Sequence, residues 1–157
     1  MPQSFRQPRG TCLVMHTAAA GTLGVATVQA GRVRQECLAP VRPVRGGGVS
    51  PLALLNRLSD WRRVSEVAVV RGMPPRSRTR SGPASVGFSQ LRSGIVTGNA
   101  LGYALGVPVR GILAPPQPWR KFLVSLTHQL AAARPRRLVT PAYTQAPHIS
   151  RPKRPRP

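Results

Sequence analysis

The chain holds 157 residues, enough for one domain with its own core and too few for two complete ones. It carries 24 Lys plus Arg against 3 Asp plus Glu, a formal net charge of +21, so an anionic partner suits it, while Glu36, Asp60 and Glu66 are too few carboxylates for paired acid/base chemistry or an acidic divalent-metal cage. Its 2 cysteines form no CxxC and, with 3 histidines, match no zinc spacing, which leaves reduced core thiols, no metal and no cofactor as the expectation.

In chain order, residues 1–10 read as a disordered start, and the apolar run at 11–17, TCLVMHT, as a buried strand. A turn at Ala18 to Gly21 leads into TLGVATVQ, and a tight Ala30-Gly31 turn leads into RVRQECL, so residues 11–38 form a three-stranded antiparallel meander. Cys12 and Cys37 then lie on its two outer strands, beyond disulfide reach. The Arg, Pro and Gly cluster at 40–48 is a loop. Ser50 as N-cap and Pro51 at the first helical position start a short amphipathic helix to Asp60, with Leu52, Leu55 and Leu58 on one face. Residues 64–70, VSEVAVV, form a buried strand that ends at Arg71-Gly72.

The charged stretch 73–81, MPPRSRTRS, is a loop. A helix follows in which Gly94, Gly98 and Gly102 stack at four-residue spacing, closed by Gly106 and Pro108. Each glycine costs a helix about 1 kcal/mol relative to alanine, so bare backbone along one face implies a close neighbour, and another helix is the expected one. Leu91, Ile95, Leu101 and Leu105 supply apolar cover around the same cylinder. The uncharged stretch 93–109 falls short of the roughly 20 apolar residues of a membrane span and includes Ser93, Thr97, Asn99 and Pro108, so no membrane association is expected. A strand at 107–113 comes next, then a helix with Trp119, Phe122, Leu123, Leu126 and Leu130 on one face, stopped by Arg134-Pro135. A strand over 137–143 and a basic, Pro-rich, disordered tail at 146–157 complete the chain. No charged segment followed by an apolar core opens the chain, and a cytoplasmic location is expected.

Arginine supplies nearly all the cation, with Lys only at Lys121 and Lys153. A guanidinium meets phosphate through parallel donors, which favours RNA or DNA, and Arg76, Arg78, Arg80 and Arg92 are the candidate contacts. A GC-rich genome drifting toward Arg, Ala, Gly and Pro produces the same composition with no ligand, and solvated loop arginines touch only water. Aromatics are 4% of residues, so RNA contact would work through charge and shape rather than base stacking.

Three strands followed by helix, strand, helix, strand, helix describe an α/β lobe over residues 11–145, with a mixed sheet of an antiparallel meander plus two parallel strands covered by helices. That order is the one found in a single actin, sugar-kinase or Hsp70 type of lobe. Within it the chain resembles the TsaB (YeaZ) family. Met15-His16-Thr17-Ala18 stands where that family has its Asp-Thr-Ser turn, and Arg71-Gly72 ends a strand as the family's does. Gly82-Pro83-Ala84-Ser85, Phe88 to Gly94, and Gly98 to Val109 look like its Gly-Pro-Gly-Ser, Phe-Thr-Gly-Leu-Arg-x-Gly and Ala-Asn-Ala-Leu-Ala-Tyr-Ala-Leu-Gly-Ile-Pro-Val. The block from Phe88 to Val109 is specific.

The resemblance implies a non-catalytic dimerisation subunit of the machinery that installs threonylcarbamoyl on adenosine in tRNA. Its first two helices would pack against a TsaD-like catalytic subunit or a second copy of the chain, through Leu52, Leu55, Leu91, Ile95, Gly94, Gly98 and Gly102. It implies an inactive relative of an ATPase-like fold with no catalytic residues: His16 replaces the acid that would organise metal and phosphate, and a neutral imidazole is no hard oxygen ligand for magnesium. Family members usually continue into a second lobe. The alternative reading is a basic RNA-binding protein, ribosome-associated or similar, that reuses the fold.

Overall fold

The computed structural model describes residues 10–19, 22–40, 50–72, 88–115 and 117–142. The expected disordered start, the loop at 40–48 beyond Pro40, the charged loop with Arg76, Arg78 and Arg80, the Gly82 to Ser85 motif and the basic tail lie outside the described residues. Strands β1 (Thr11–Ala19), β2 (Thr22–Gln29) and β3 (Arg32–Pro40) precede helix α1 (Pro51–Leu55) and a 3-10 turn at Trp61–Arg63. Strand β4 (Glu66–Gly72), helix α2 (Phe88–Leu105), strand β5 (Val109–Leu113), helix α3 (Trp119–Ala132) and the short strand β6 (Pro135–Arg136) follow. They build a six-stranded sheet in the order β3-β2-β1-β4-β5-β6.

The expected fold class is the one observed. β1, β2 and β3 pair antiparallel, β4 runs parallel to β1, and β5 runs parallel to β4. β2 and β3 meet through two residues with positive φ, Ala30 at 48° and Gly31 at 74°, the left-handed pair that a two-residue hairpin demands. β2 sits between the cysteine-bearing strands, and both thiols are free. β6 is an addition: Pro135 and Arg136 pair antiparallel with Arg110 and Val109, and the expected strand over 137–143 reduces to one parallel bridge from Ala142 to Gly72.

α1 starts as expected, with Ser50 Oγ accepting from Leu52 N–H at 3.3 Å and Pro51 at N1, but it ends at Leu55 rather than Asp60. The cause is a competing partner. Gln35 on β3 accepts from the Ser59 N–H at 2.9 Å and donates to Ser59 Oγ at 2.6 Å, which draws the chain out of the helix.

α1 and α2 share one face of the sheet, where Leu54, Leu55, Leu58, Leu91, Ile95 and Leu101 join Leu13, Met15, Val25, Val67, Val69 and Val109 in one core. The glycines of α2 explain how closely the helix lies. A methyl group on Gly94 would overlap Thr17 Oγ1, one on Gly98 would overlap Val69 Cγ1, and one on Gly102 would overlap Val109 Cγ2. Bare backbone therefore admits the side chains of β1, β4 and β5. α2 ends at Gly106, φ 65°, with Val107 N–H on Gly102 O at 2.9 Å and Gly106 N–H on Tyr103 O at 3.2 Å, a Schellman closure.

α3 covers the opposite face with Trp119, Phe122, Leu126 and Leu130 against Cys12, Val14, Ala26, Val28, Ala68, Val70 and Ile112. Gly24 leaves room for the Trp119 ring, whose Nε1–H donates to Glu36 Oε2 at 2.9 Å. His16 is 1% exposed on this side, edge-on to Phe122 with centroids 4.6 Å apart, and burial pushes its pKa down to about 4.

Three consequences are measurable. Gly98→Leu drives a side chain into Val69 and Met15, so urea denaturation should show a loss of 3 kcal/mol or more, on the order of the larger overpacking penalties. Ala30→Asn relieves a left-handed alanine and should raise the unfolding free energy by about 1 kcal/mol. His16 is neutral in the fold and takes a proton when unfolded below about 6.5, so its stabilising contribution falls as pH drops from that value toward 4, by up to about 3 kcal/mol. His16→Leu should remove that part of the pH dependence in unfolding curves.

Candidate functional site

Periodicity places the outward face of α2. Leu91, Gly94, Ile95, Gly98, Leu101 and Gly102 form its buried stripe, which leaves Arg92, Ser93, Val96, Ala100, Tyr103 and Ala104 exposed on the other side. Val96 is 66% exposed and Tyr103 is 91% exposed. Leu52 of the adjoining α1 adds another half-exposed apolar side chain. Charge enters this stripe only at Arg92, in the first turns of α2.

The predicted interface residues must therefore be re-sorted. Leu55, Leu91 and Ile95 are buried in the chain's own core. Gly94, Gly98 and Gly102 face Thr17, Val69 and Val109, so the close neighbour is the sheet and the expectation of a partner helix pressed on the glycines is corrected. Close approach alone does not tell a helix from a sheet, because a sheet also requires small residues where a helix lies low on it. Of that set only Leu52 reaches solvent. Val96 and Tyr103 were missed, although their signal was present: they fall on the face left over once the glycine stripe is assigned inward. Of the candidate RNA contacts, Arg92 is exposed and the three loop arginines lie outside the described residues.

The ends of the parallel strands differ in character. Near the carboxyl ends, Asn99 of α2 clamps the segment after β6, donating through Nδ2 to Val139 O and accepting from Val139 N–H, both at 2.9 Å. Arg71 passes over Gly111 and donates through Nη1 to Thr140 O at 3.1 Å, while Ala142 N–H returns to Arg71 O at 2.7 Å. At the opposite end, Arg110 donates through Nε to Glu66 Oε2 at 2.6 Å and through Nη1 to Leu130 O and Ala133 O at 3.2 and 2.6 Å. A cation thus closes the carbonyl end of α3 and ties it to β4. Cys12 lies beside this pair; burial, and then the negative charge of Glu66, holds its thiol well above the ordinary range. The thiol and the His16 imidazole are both buried and both neutral at pH 7, which is the chemistry of packing groups rather than of a nucleophile or base open to a solute.

No helix among the described residues is long and apolar enough to cross a membrane. No family model and no curated protein matches the chain. Solved structures similar to it include the following two. YeaZ from Pseudomonas aeruginosa matches with a TM-score of 0.47 and 22% identity over 66% of this chain and 43% of that chain. An uncharacterized protein with similarity to peptidase YeaZ from Pseudomonas aeruginosa matches with a TM-score of 0.47 and 21% identity over the same shares, 66% and 43%. The present chain therefore spans less than half the length of either protein.

Proposed function

We propose that this chain is a non-catalytic scaffold of TsaB type, which docks a TsaD-like catalytic subunit or a second copy of itself and so serves an assembly that forms threonylcarbamoyladenosine on cytoplasmic tRNA. The observation that carries the proposal is the outward face of α2, where Val96 and Tyr103 stand in solvent on the helix that bears the Phe88 to Val109 motif, with Leu52 half-exposed on α1. Two large side chains spaced two helical turns apart are anchors in search of pockets, and a tyrosine contributes more than most residues when an interface closes over it. The docking face is the back of the helix that the glycines seat on the sheet. Its position depends on them without their touching the partner.

The absence of chemistry in this reading rests on His16. At the end of β1, where an ATPase-like relative would present an acid to solvent and metal, this chain folds an imidazole under α3 against Phe122. A group held there neither binds magnesium nor reaches a substrate. The scaffold contributes surface and leaves the reaction to its partner.

The test uses the double variant Val96→Asp, Tyr103→Asp in the full chain. Both positions are exposed, so the fold should be retained by circular dichroism, while affinity for the TsaD-like subunit in titration calorimetry, or the dimer in sedimentation if the partner is a second copy, should fall at least 30-fold, the effect of losing one strong anchor of about 2 kcal/mol. Full retention of both the complex and the dimer would overturn the reading. Since apolar burial holds the interface, binding by the unaltered chain should change little with added salt.

A further inference from the structure

The edge of the sheet at which β1, β4 and β5 begin collects arginines from three separate segments. The β2–β3 hairpin brings Arg32 and Arg34, because Gln29 pairs with Thr11 at the start of β1 and with Arg32 at the start of β3. The 3-10 turn before β4 brings Arg62 and Arg63, next to Ser65, whose N–H donates to Thr11 O at 2.8 Å. β6, paired with the first residues of β5, brings Arg136 together with its neighbours Arg134 and Arg137. Every one of these side chains is exposed.

Carboxylates do not consume this charge. The chain has 3 acids in all. Glu66 is held by Arg110 beneath α3, so Glu36, which accepts from the neutral Trp119 indole, and Asp60, at the head of the 3-10 turn, are the two carboxylates left to offset seven arginines. Neutral groups fix two of the cations without discharging them. Arg34 Nε donates to Gln29 Oε1 at 3.1 Å, and the Arg62 guanidinium stacks over the Trp61 ring at 4.7 Å from its centroid. Ordering a long cationic side chain against neutral partners lowers the entropy lost when an anion arrives and leaves its charge available.

We infer that this rim is a nucleic-acid backbone site. Strands spaced about 4.8 Å apart put the hairpin and β6 roughly 24 Å from each other, a span that covers about seven phosphates at ~3.4 Å of axial rise per strand. The cations lie along a line that crosses the sheet, they are all arginine, and bidentate phosphate contact is what that side chain does best. Recognition is by charge and shape, since Trp61 is the one aromatic side chain on the rim among the described residues. The inference is independent of the α1–α2 docking face, which projects from one side of the sheet rather than from this edge.

The experiment measures anisotropy of a labelled RNA duplex, a DNA duplex of the same sequence and a single-stranded RNA with the full-length protein, between about 50 and 200 mM salt. The rim variant Arg63→Gln, Arg134→Gln, Arg137→Gln is compared with a charge-matched variant, Arg92→Gln, Arg120→Gln, Lys121→Gln, whose residues lie in the first turns of α2 and α3 and which sets the rim against Arg92, the exposed contact that the sequence alone puts forward. Binding should weaken tenfold or more in the rim variant and less than about threefold in the control. On duplex, the slope of log K against log salt should become shallower by two to three in the rim variant, as expected for the loss of up to three phosphate contacts. The duplex and single-strand arms identify which backbone the rim prefers. Equal weakening in both variants would overturn the site, because total charge and not this edge would then hold the nucleic acid. No binding by the unaltered chain would overturn it too, as would capture of anionic phosphatidylserine vesicles with the same loss in the rim variant and no nucleic-acid preference. A Val96→Asp, Tyr103→Asp variant that loses its protein partner should bind nucleic acid as the unaltered chain does, so failure of either reading is told from failure of the other.

Discussion

The whole arrangement depends on how low α2 lies on the sheet. Three glycines at four-residue intervals let Thr17, Val69 and Val109 project into the space that side chains would fill, and the helix settles into van der Waals contact with three strands at once. The cost, about 1 kcal/mol for each glycine relative to alanine, is offset by close packing of Leu91, Ile95 and Leu101 around the same contact. Because every one of those residues is committed inward, the outward side of the helix is relieved of structural work. Val96 and Tyr103, exposed on that side, are the anchors of the proposed docking face.

The opposite face shows a second economy. Among the described residues α3 alone covers it, so one helix must be fixed in both rotation and position. Trp119 does this at its start by filling the gap over Gly24 and bonding Glu36, and Arg110 does it at its end by reaching the last carbonyls while holding Glu66. Removing either partner of the Arg110–Glu66 pair would leave a buried charge uncompensated, which costs far more than the pair itself contributes. In a chain with so few acids, two of them are thus spent on the placement of one helix, and little remains to neutralise the surface.

Most of the fold was legible because it rests on local signals: alternating apolar strands at 11–38, a Ser50-Pro51 helix start, a Gly106-Pro108 stop, and a stripe from Trp119 to Leu130. The departures arise from tertiary partners that no local window contains. Gln35 captures Ser59 across 24 residues and shortens α1; Asn99 and Arg71 strap Val139 and Thr140 in place of a sixth long strand. The candidate site was legible in half. Glycine spacing correctly announced close approach, yet spacing is silent about what approaches, and a sheet and a helix make the same demand. The basic edge was invisible for a different reason, since Arg32, Arg62 and Arg136 are far apart in the chain and only the strand order brings them to one line.

Two surfaces of opposite physics then share a small molecule. The α1–α2 face gains from removing apolar groups from water and is indifferent to salt, whereas the arginine edge gains from releasing counterions and is governed by it. A partner seated on Val96 and Tyr103 would rest on a helix that Gly94, Gly98 and Gly102 pack onto β1, β4 and β5. A nucleic acid on the arginine edge would touch strand ends that Arg110 and the Ala30-Gly31 turn hold in place. The two proposed surfaces thus belong to one six-stranded sheet, a protein partner on the face that α2 covers and a polyanion along the margin where β1, β4 and β5 begin.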